Sequence, residues 1–218
     1  MVNTVIFDMD GVIVDTEPVH YYSYHKHFKE LGIEVTDEMY GTFTGFSTKN
    51  TYQAIVKEFN LSHEVDLLIA SKREIFNNAF DEKADLELLP GVRNLIVNLY
   101  ENGLQLVLAS SASHVTIQRI FNRFKLHEYF THIVSGEEFP QSKPHPAIFL
   151  RAAELSGSPV NECIVIEDST NGIKAAKAAG IFCVGYKSEN SVLQEISIAD
   201  MTINHFNELN ADIVRGLI

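Results

Sequence analysis

Short apolar runs alternate with longer segments of helical periodicity along most of this sequence. The runs are rich in β-branched residues, have acidic, hydroxyl or glycine residues at their ends, and lie at 4–10, 104–111, 131–136, 162–168 and 182–186. Such runs are typical of strands buried on both faces of a parallel sheet. Between them, apolar residues such as Val92, Leu95 and Leu99 recur at helical spacing. We therefore predict an α/β fold with a doubly wound parallel sheet.

Residues 17–85 interrupt this alternation, because no strand pattern appears between the first run and residue 104. Apolar and aromatic residues in this stretch follow helical spacing, as at Tyr21, Tyr24 and Phe28. We predict that 17–85 is an all-helical insertion whose aromatic stripes form its own small core. Residues 1–16 and 86–218 then form the α/β core.

Composition limits the classes of partner. The 218 residues include 29 acidic and 17 basic ones, which gives a formal net charge of −12. This charge repels nucleic acids and anionic membranes, and no apolar stretch reaches the ~20 residues of a membrane span. The amino-terminal sequence lacks the basic and apolar regions of a signal peptide. Cys163 and Cys183 lie in apolar runs and are predicted to be buried free thiols, which suits the reducing cytoplasm. We therefore expect a cytoplasmic protein, and from the charge one that binds neither nucleic acid nor membrane. We also expect it to be a monomer.

Polar residues stand at the ends of the predicted strands. The first strand ends in Asp8 and Asp10, the second in Ser110 and Ser111, and the fourth in Glu167 and Asp168, while Lys143 lies in the loop before the helix that leads to the fourth strand. Ligands of open parallel sheets bind beyond the carboxyl ends of the strands, so we expect these residues to share one edge. Carboxylates gathered there need a cation, and a set of oxygen ligands without His or Cys suits Mg²⁺.

Four segments carry a resemblance to a known family. They are DMDGVIVDT (8–16), LASSAS (108–113), SKPHPAIF (142–149) and IEDSTNGIKAAKAAG (166–180). In order and spacing they resemble the four motifs of the haloacid-dehalogenase-like superfamily, in the branch that holds β-phosphoglucomutase and the small phosphatases related to it. That branch has a helical cap between its first and second strands, so the resemblance implies that 17–85 is the cap and the remainder the catalytic core.

The resemblance implies roles for the residues at the strand ends. Asp8 is the expected nucleophile, which forms an aspartyl phosphate, and Asp10 the expected general acid and base. Ser110 and the N–H of Ser111 are expected to bind phosphoryl oxygens, and Lys143 to neutralise charge that develops during transfer. The resemblance also implies four Mg²⁺ ligands. They are the Asp8 carboxylate, the Asp10 main-chain carbonyl, Asp168, and Glu167, which binds directly or through water.

Substrate choice is expected to depend on the cap. Thr16 and His20 fall in the segment DTEPVH, where the resemblance gives the histidine a positioning role, although a helix histidine is also compatible with a structural one. TGFSTKNT (44–51) resembles the substrate-specificity loop, but Thr44 and Thr48 stand where β-phosphoglucomutase has lysine and arginine, and Lys49 follows one place along. Paired cations suit the second phosphate of a mutase intermediate, so their replacement favours hydrolysis.

The leading hypothesis is a Mg²⁺-dependent phosphatase that hydrolyses a small phosphomonoester, such as a sugar phosphate, through an aspartyl phosphate. The alternative is a β-phosphoglucomutase that interconverts β-glucose 1-phosphate and glucose 6-phosphate. Two further classes compete: a receiver-type phospho-acceptor domain, which the DxD pair and the insertion disfavour, and a nucleotide-binding module. The last rests on GIFCVGYK (180–187), whose lysine is out of register with a phosphate-binding loop and whose first glycine ends a predicted helix.

Overall fold

The computed structural model describes residues 1–43, 46–187 and 194–218, and it divides into two compact units. The sheet unit comprises Met1–Asp15 and Glu87–Ile218, and the helical unit comprises Thr16–Leu86. The roles of catalytic core and cap that the sequence assigns to these regions stay predictions. Among the described residues, no helix has both the length and the apolar character needed to cross a membrane.

The sheet unit is built on a parallel sheet. Its strands are β1 (Thr4–Phe7), β2 (Gln105–Ser110), β3 (His132–Ser135), β4 (Cys163–Glu167), β5 (Phe182–Tyr186) and β6 (Met201–Ile203). In the described part of the chain they form a six-stranded sheet in the order β3-β2-β1-β4-β5-β6, with parallel pairing throughout. This confirms the predicted doubly wound parallel sheet. β6 was not predicted, because Met-Thr-Ile is short and its central threonine is exposed.

Helices cover both faces of this sheet. They are α5 (Val92–Glu101), α6 (His114–Phe124), α7 (Ala147–Ser156), α8 (Thr170–Ala178) and α9 (Ala211–Arg215). On one face Phe149 of α7 and Ile173 of α8 pack with strand residues such as Val107 and Val165 in a fully buried core. Cys163 and Cys183 are buried free thiols, as predicted.

The helical unit has a core of its own. Its described helices are α1 (Glu17–Glu30), α2 (Asp37–Gly41), α3 (Thr48–Glu58) and α4 (Val65–Glu82). Tyr24 and Phe28 of α1 pack with Tyr52 and Ile55 of α3 in that core, which confirms the predicted aromatic stripes. Tyr21 departs from the prediction, since 41% of its surface is exposed.

Candidate active site

The carboxyl ends of β1, β2 and β4 lie side by side. Phe7, the last residue of β1, is in register with Leu108 of β2 and Ile166 of β4. Asp8 therefore leaves β1 at the level where β4 ends, and its N–H donates to the Ile166 carbonyl at 3.0 Å. The side chain is largely buried, with Asp8 only 7% exposed. The predicted nucleophile thus lies at the edge where the other strand-end residues are found.

A tight turn follows Asp8 and brings in Asp168. Gly11 has a φ of +80°, and its N–H donates to the Val14 carbonyl at 2.9 Å. A Cβ atom at Gly11 would lie 2.0 Å from Asp168 Oδ2, so a side chain here would displace that carboxylate. Glycine is therefore required both for the left-handed conformation and for the space. Asp10 lies in the same turn, where it is partly exposed.

Lys143 is a buried cation shared by two carboxylates. Its Nζ donates to Asp8 Oδ1 at 2.5 Å, to Glu167 Oε1 at 2.8 Å and to the Ala109 carbonyl at 3.2 Å. Nζ also lies 4.8 Å from the centre of the Phe149 ring, within cation–π range. Burial disfavours the charged amine, but the attraction of Asp8 and then of Glu167 exceeds this effect and raises the pKa of Lys143. Lys143 therefore remains charged in the site.

Glu167 is held by hydrogen bonds on both carboxylate oxygens. Oε1 accepts from Lys143, while Oε2 accepts from the N–H groups of Asp168 and Ser169 at 2.9 Å each and from the Ser169 hydroxyl at 3.0 Å. Gly172 of α8 leaves room for this carboxylate, since a Cβ there would lie 1.7 Å from Oε1. Glu167 is 1% exposed and links Lys143 to the first turn of α8. Both of its carboxylate oxygens thus accept hydrogen bonds from residues at this edge of the sheet.

The carboxylate cluster carries more negative charge than Lys143 offsets. Burial raises the pKa of Asp8 to about 8; Lys143 opposes this shift, and repulsion from Glu167 and Asp10 adds to it. Burial also raises the pKa of Asp168 well above its ordinary value, and repulsion from Glu167 and Asp8 contributes. Two acids with raised pKa values beside a charged lysine indicate an electrostatic environment that favours additional positive charge.

The donor set at this edge fits Mg²⁺. Among the described residues, Asp8, Glu167 and Asp168 each offer a carboxylate oxygen, and these oxygens lie within 4.8 Å of one another. Oxygen ligands are the type that Mg²⁺ prefers, and a dication here would favour the ionised forms of Asp8 and Asp168, whose pKa values burial raises. The cluster can thus hold a divalent cation.

Ser110 and Ser111 lie at the carboxyl end of β2, beside the end of β1. Ser110 ends β2, is fully buried, and its Oγ accepts from the Ala112 N–H at 3.1 Å. Ser111 is exposed. The Ala109 carbonyl, one residue before Ser110, accepts from Lys143, so the end of β2 and the Asp8 cluster contact the same lysine. These contacts bring Ser110 and Lys143 to the region of Asp8.

In the helical unit, His20 is paired with a buried lysine. Lys72 Nζ lies 2.6 Å from His20 Nδ1 and 4.2 Å from the centre of the Tyr24 ring, and Lys72 is 2% exposed. Burial lowers the pKa of His20 well below its ordinary value, and the charge of Lys72 lowers it further. His20 is therefore neutral and accepts the hydrogen bond of Lys72 through Nδ1.

The remaining predicted cap residues have different surroundings. Thr16 is buried, and its carbonyl accepts from the N–H groups of Val19 and His20 at 2.9 Å each. Thr48 begins α3 and is hydrogen-bonded to the Tyr24 hydroxyl. Lys49, next along α3, is exposed. Thr44 and Gly45 of the proposed specificity loop lie outside the described residues.

Lys72 was missed by the sequence reasoning. It lies on the stripe of α4 that also contains the buried Leu68, Ile75 and Phe76. The sequence signal was its spacing, because Lys72 lies four residues after Leu68 and four residues before Phe76. The partner, His20, lies 52 positions away on α1, so their pairing depends on how α1 and α4 pack.

The segment 180–187 does not form a phosphate-binding loop. Gly180 follows α8 with a φ of +71°, and Phe182–Tyr186 is strand β5. The hypothesis of a nucleotide-binding module loses its sequence basis.

Comparisons with known proteins agree with this architecture. A family model described as haloacid dehalogenase-like hydrolase matches residues 5–186. The chain is 34% identical over 193 residues to the protein SUPPRESSOR OF QUENCHING 1, chloroplastic, of Arabidopsis thaliana, a match that covers 86% of this chain but only 18% of that protein. It is 29% identical to a phosphorylated carbohydrates phosphatase of Thermotoga maritima, with 81% of each chain covered. The crystal structure of β-phosphoglucomutase from Clostridium difficile superimposes with a TM-score of 0.85 at 25% identity and covers 99% of this chain and 96% of that one.

Proposed function

The chain belongs to the haloacid dehalogenase-like hydrolase family and is an enzyme of phosphoryl transfer, and we propose that it is a Mg²⁺-dependent phosphatase of small phosphomonoesters. The observation that carries this proposal is Lys143, which contacts Asp8, Glu167 and the end of β2 at once. A nucleophilic carboxylate beside a fixed cation and a serine-containing loop is suited to an anionic phosphoryl group. The relative from Thermotoga maritima, a phosphorylated carbohydrates phosphatase, supports a sugar phosphate as substrate.

In the proposed reaction, an Asp8 carboxylate oxygen attacks phosphorus. The new bond joins that oxygen to phosphorus, the bond from phosphorus to the ester oxygen breaks, and Asp10 donates a proton to the leaving oxygen. Water then attacks the aspartyl phosphate, Asp10 takes its proton, and Asp8 is released with inorganic phosphate. Lys143 stabilises charge on the phosphoryl oxygens, and Ser110 with the Ser111 N–H orients them.

The ionisation of Asp8 is a condition of this reaction. Burial raises the pKa of Asp8 and so favours its protonated form, and a protonated carboxyl is a poor nucleophile. Asp8 and Asp168, with the Asp10 carbonyl, would hold Mg²⁺, and Glu167 would contribute directly or through water. When bound, Mg²⁺ supplies positive charge that favours the ionised carboxylates and offsets the charge of the substrate.

We also propose that the helical unit is a cap that selects the substrate. His20 and Lys72 form a buried polar pair there, and Lys49 adds an exposed cation. Thr16 and Thr48 join His20 and Lys49 as the residues of the helical unit that the sequence assigns to substrate binding.

A panel of sugar phosphates, assayed for phosphate release with Mg²⁺ and with EDTA, tests the proposal. We expect release that requires Mg²⁺ and is abolished in Asp8→Asn, which removes the nucleophile with little change of shape. Asp212→Asn is the matched control, because Asp212 is an exposed acid of α9 outside the cluster. Release that is the same in Asp8→Asn and in the wild type would refute the mechanism.

A β-phosphoglucomutase is the second candidate, and the similarity to the Clostridium difficile enzyme is the observation that favours it. Conversion of β-glucose 1-phosphate to glucose 6-phosphate, primed with a bisphosphate and coupled to a dehydrogenase, would distinguish the two. Thr48 counts against a mutase, because it offers a hydroxyl bonded to Tyr24 where a cation would hold the second phosphate.

A further inference from the structure

The turn after β3 contacts the loop after β2 at several points. β3 ends at Ser135, and Gly136–Glu138 form a single 3₁₀ turn that we call, with Ser135, the 135–138 turn. The fully buried Ser135 hydroxyl donates to the Ala112 carbonyl at 2.7 Å and accepts from the Glu137 N–H at 3.2 Å. The Glu137 carboxylate accepts from the His114 N–H at 3.0 Å. The turn therefore contacts the loop at Ala112 and at His114, the residues on either side of Ser113.

The turn itself is fixed by further contacts. Glu138 Oε1 accepts from the Ser135 N–H at 2.9 Å and lies 3.2 Å from His114 Nε2. Gly136 packs directly on the loop, because a Cβ there would lie 3.0 Å from the Cα of Ser111, closer than side chains normally approach. The 135–138 turn is thus a rigid support beneath residues 111–114.

These contacts lead to the hydroxyl of Ser110. Ser135 holds the Ala112 carbonyl, and the Ala112 N–H donates to Ser110 Oγ at 3.1 Å. Because Ser110 Oγ accepts that hydrogen bond, its own hydrogen points away from Ala112 and is available to donate elsewhere. The Ser135 bond also sets the plane of the peptide that follows Ala112, since a peptide unit rotates as one body.

We propose that Ser135 is a positioning residue for phosphoryl binding, which acts through Ala112 on Ser110 and on the backbone of the loop. This inference rests on the proposed function, in which that loop binds the phosphoryl group. Glu137 contributes by accepting a hydrogen bond from the N–H of His114, the first residue of α6. Neither side chain contacts the substrate in this proposal.

The test measures binding of inorganic phosphate and of Mg²⁺ separately, by isothermal titration of the folded protein, together with kcat and KM. In Ser135→Ala we expect the dissociation constant for phosphate to rise roughly two- to tenfold, the range that corresponds to the loss of one ordinary hydrogen bond. A misplaced loop lowers kcat as well, by up to about 100-fold. The dissociation constant for Mg²⁺ is expected to stay unchanged, because Asp8 and Asp168 follow β1 and β4, and neither contacts the 135–138 turn in the hydrogen bonds described.

Ser156→Ala is a closely matched control. The Ser156 hydroxyl donates to the Ala153 carbonyl at 2.8 Å and accepts from the Ser158 N–H at 3.1 Å, the same pair of bonds that Ser135 makes. Ser156 ends α7, which precedes β4 at the amino-terminal side of the sheet. Phosphate affinity reduced equally in both variants would overturn the inference, since the effect would then follow from any lost serine hydroxyl.

Glu137→Ala and Glu137→Gln keep the test decisive if Ser135→Ala does not fold. Glu137 is exposed, so neither change disturbs the core, and glutamine retains an oxygen that accepts from the His114 N–H. We expect weaker phosphate binding in Glu137→Ala and recovery in Glu137→Gln. Wild-type phosphate affinity in both alanine variants, or a wild type that does not bind phosphate, would overturn the inference. Phosphate binding without release from any ester would count against the proposed function alone.

Discussion

Replacing Gly172 by alanine sets two physical effects of opposite sign against each other. Gly172 is the third residue of α8, where helix propensity alone favours alanine by about 1 kcal/mol. A Cβ at this position would, however, lie 1.7 Å from Glu167 Oε1 and 1.9 Å from its Cδ. To reach an ordinary contact of about 3.5 Å the carboxylate would have to shift by roughly 2 Å.

The magnitude follows from what that shift disrupts. Overpacking a filled site costs about 1–3 kcal/mol, and each hydrogen bond to a charged group that is lost costs about 1.5–3 kcal/mol. Glu167 accepts from Lys143, from two N–H groups and from the Ser169 hydroxyl, so a displaced carboxylate loses at least one of these bonds. After the gain in helix propensity, we expect the free energy of unfolding to fall by about 2–5 kcal/mol.

Circular dichroism melts measure this loss. For a chain of this size each kcal/mol corresponds to about 2–4 °C, so Gly172→Ala is expected to melt roughly 4–20 °C below the wild type. The matched pair is Lys174→Ala and Lys174→Gly at an exposed position of the same helix, where alanine is expected to be the more stable. A melting temperature of Gly172→Ala at or above that of the wild type would refute the steric reasoning.

Three further predictions concern charge. The pKa of Asp8 is about 8 in the folded protein and ordinarily 3.8, so the native state retains a proton that the unfolded chain releases. The free energy of unfolding of EDTA-treated protein, measured in urea, is therefore expected to fall as pH rises from about 4 to about 8. The expected slope is up to about 1.4 kcal/mol per pH unit, and a free energy that does not change with pH would contradict the prediction. Mg²⁺ at one hundred times its dissociation constant is expected to stabilise the fold by about 2.7 kcal/mol and raise the melting temperature by roughly 5–11 °C, and the same rise in Asp168→Asn would argue against the cluster. Lys72→Met is expected to raise the pKa of His20 and leave it below 6.5, because burial is the larger cause of its depression; an NMR titration that shows no change would contradict the pairing.

The sequence predicted which of these residues lie together at one edge of the sheet. Asp8, Ser110 and Glu167 all follow strands that pair in parallel, and parallel strands place their carboxyl ends at one edge whatever the details of packing. That regularity made the strand pattern sufficient for the sheet and for the acidic cluster.

Contacts that depend on side-chain reach were not predictable in the same way. The sequence places Lys143 near the edge, but its simultaneous contact with Asp8, Glu167 and the Ala109 carbonyl follows from the path of a loop. The pairing of His20 with Lys72 requires the packing of α1 on α4, and the bond of Ser135 to Ala112 requires the register of β2 with β3. None of these pairings has a local sequence signature, because each joins residues that are distant in the chain.

The strand order has a consequence for how the enzyme is made. β1 is synthesised before the other described strands of the sheet, yet its pairing partner β4 begins about 160 residues later, as the register of Thr4 with Cys163 shows. At ~5–20 residues per second, the ribosome needs roughly 8–32 s to supply that partner. Until then β1, whose four residues are all buried in the folded protein, lacks at least one of its two neighbouring strands. Asp8 therefore meets Glu167 only after β4 has been synthesised, and a nascent chain that stops before β4 is expected to be inactive however well its earlier segments have folded.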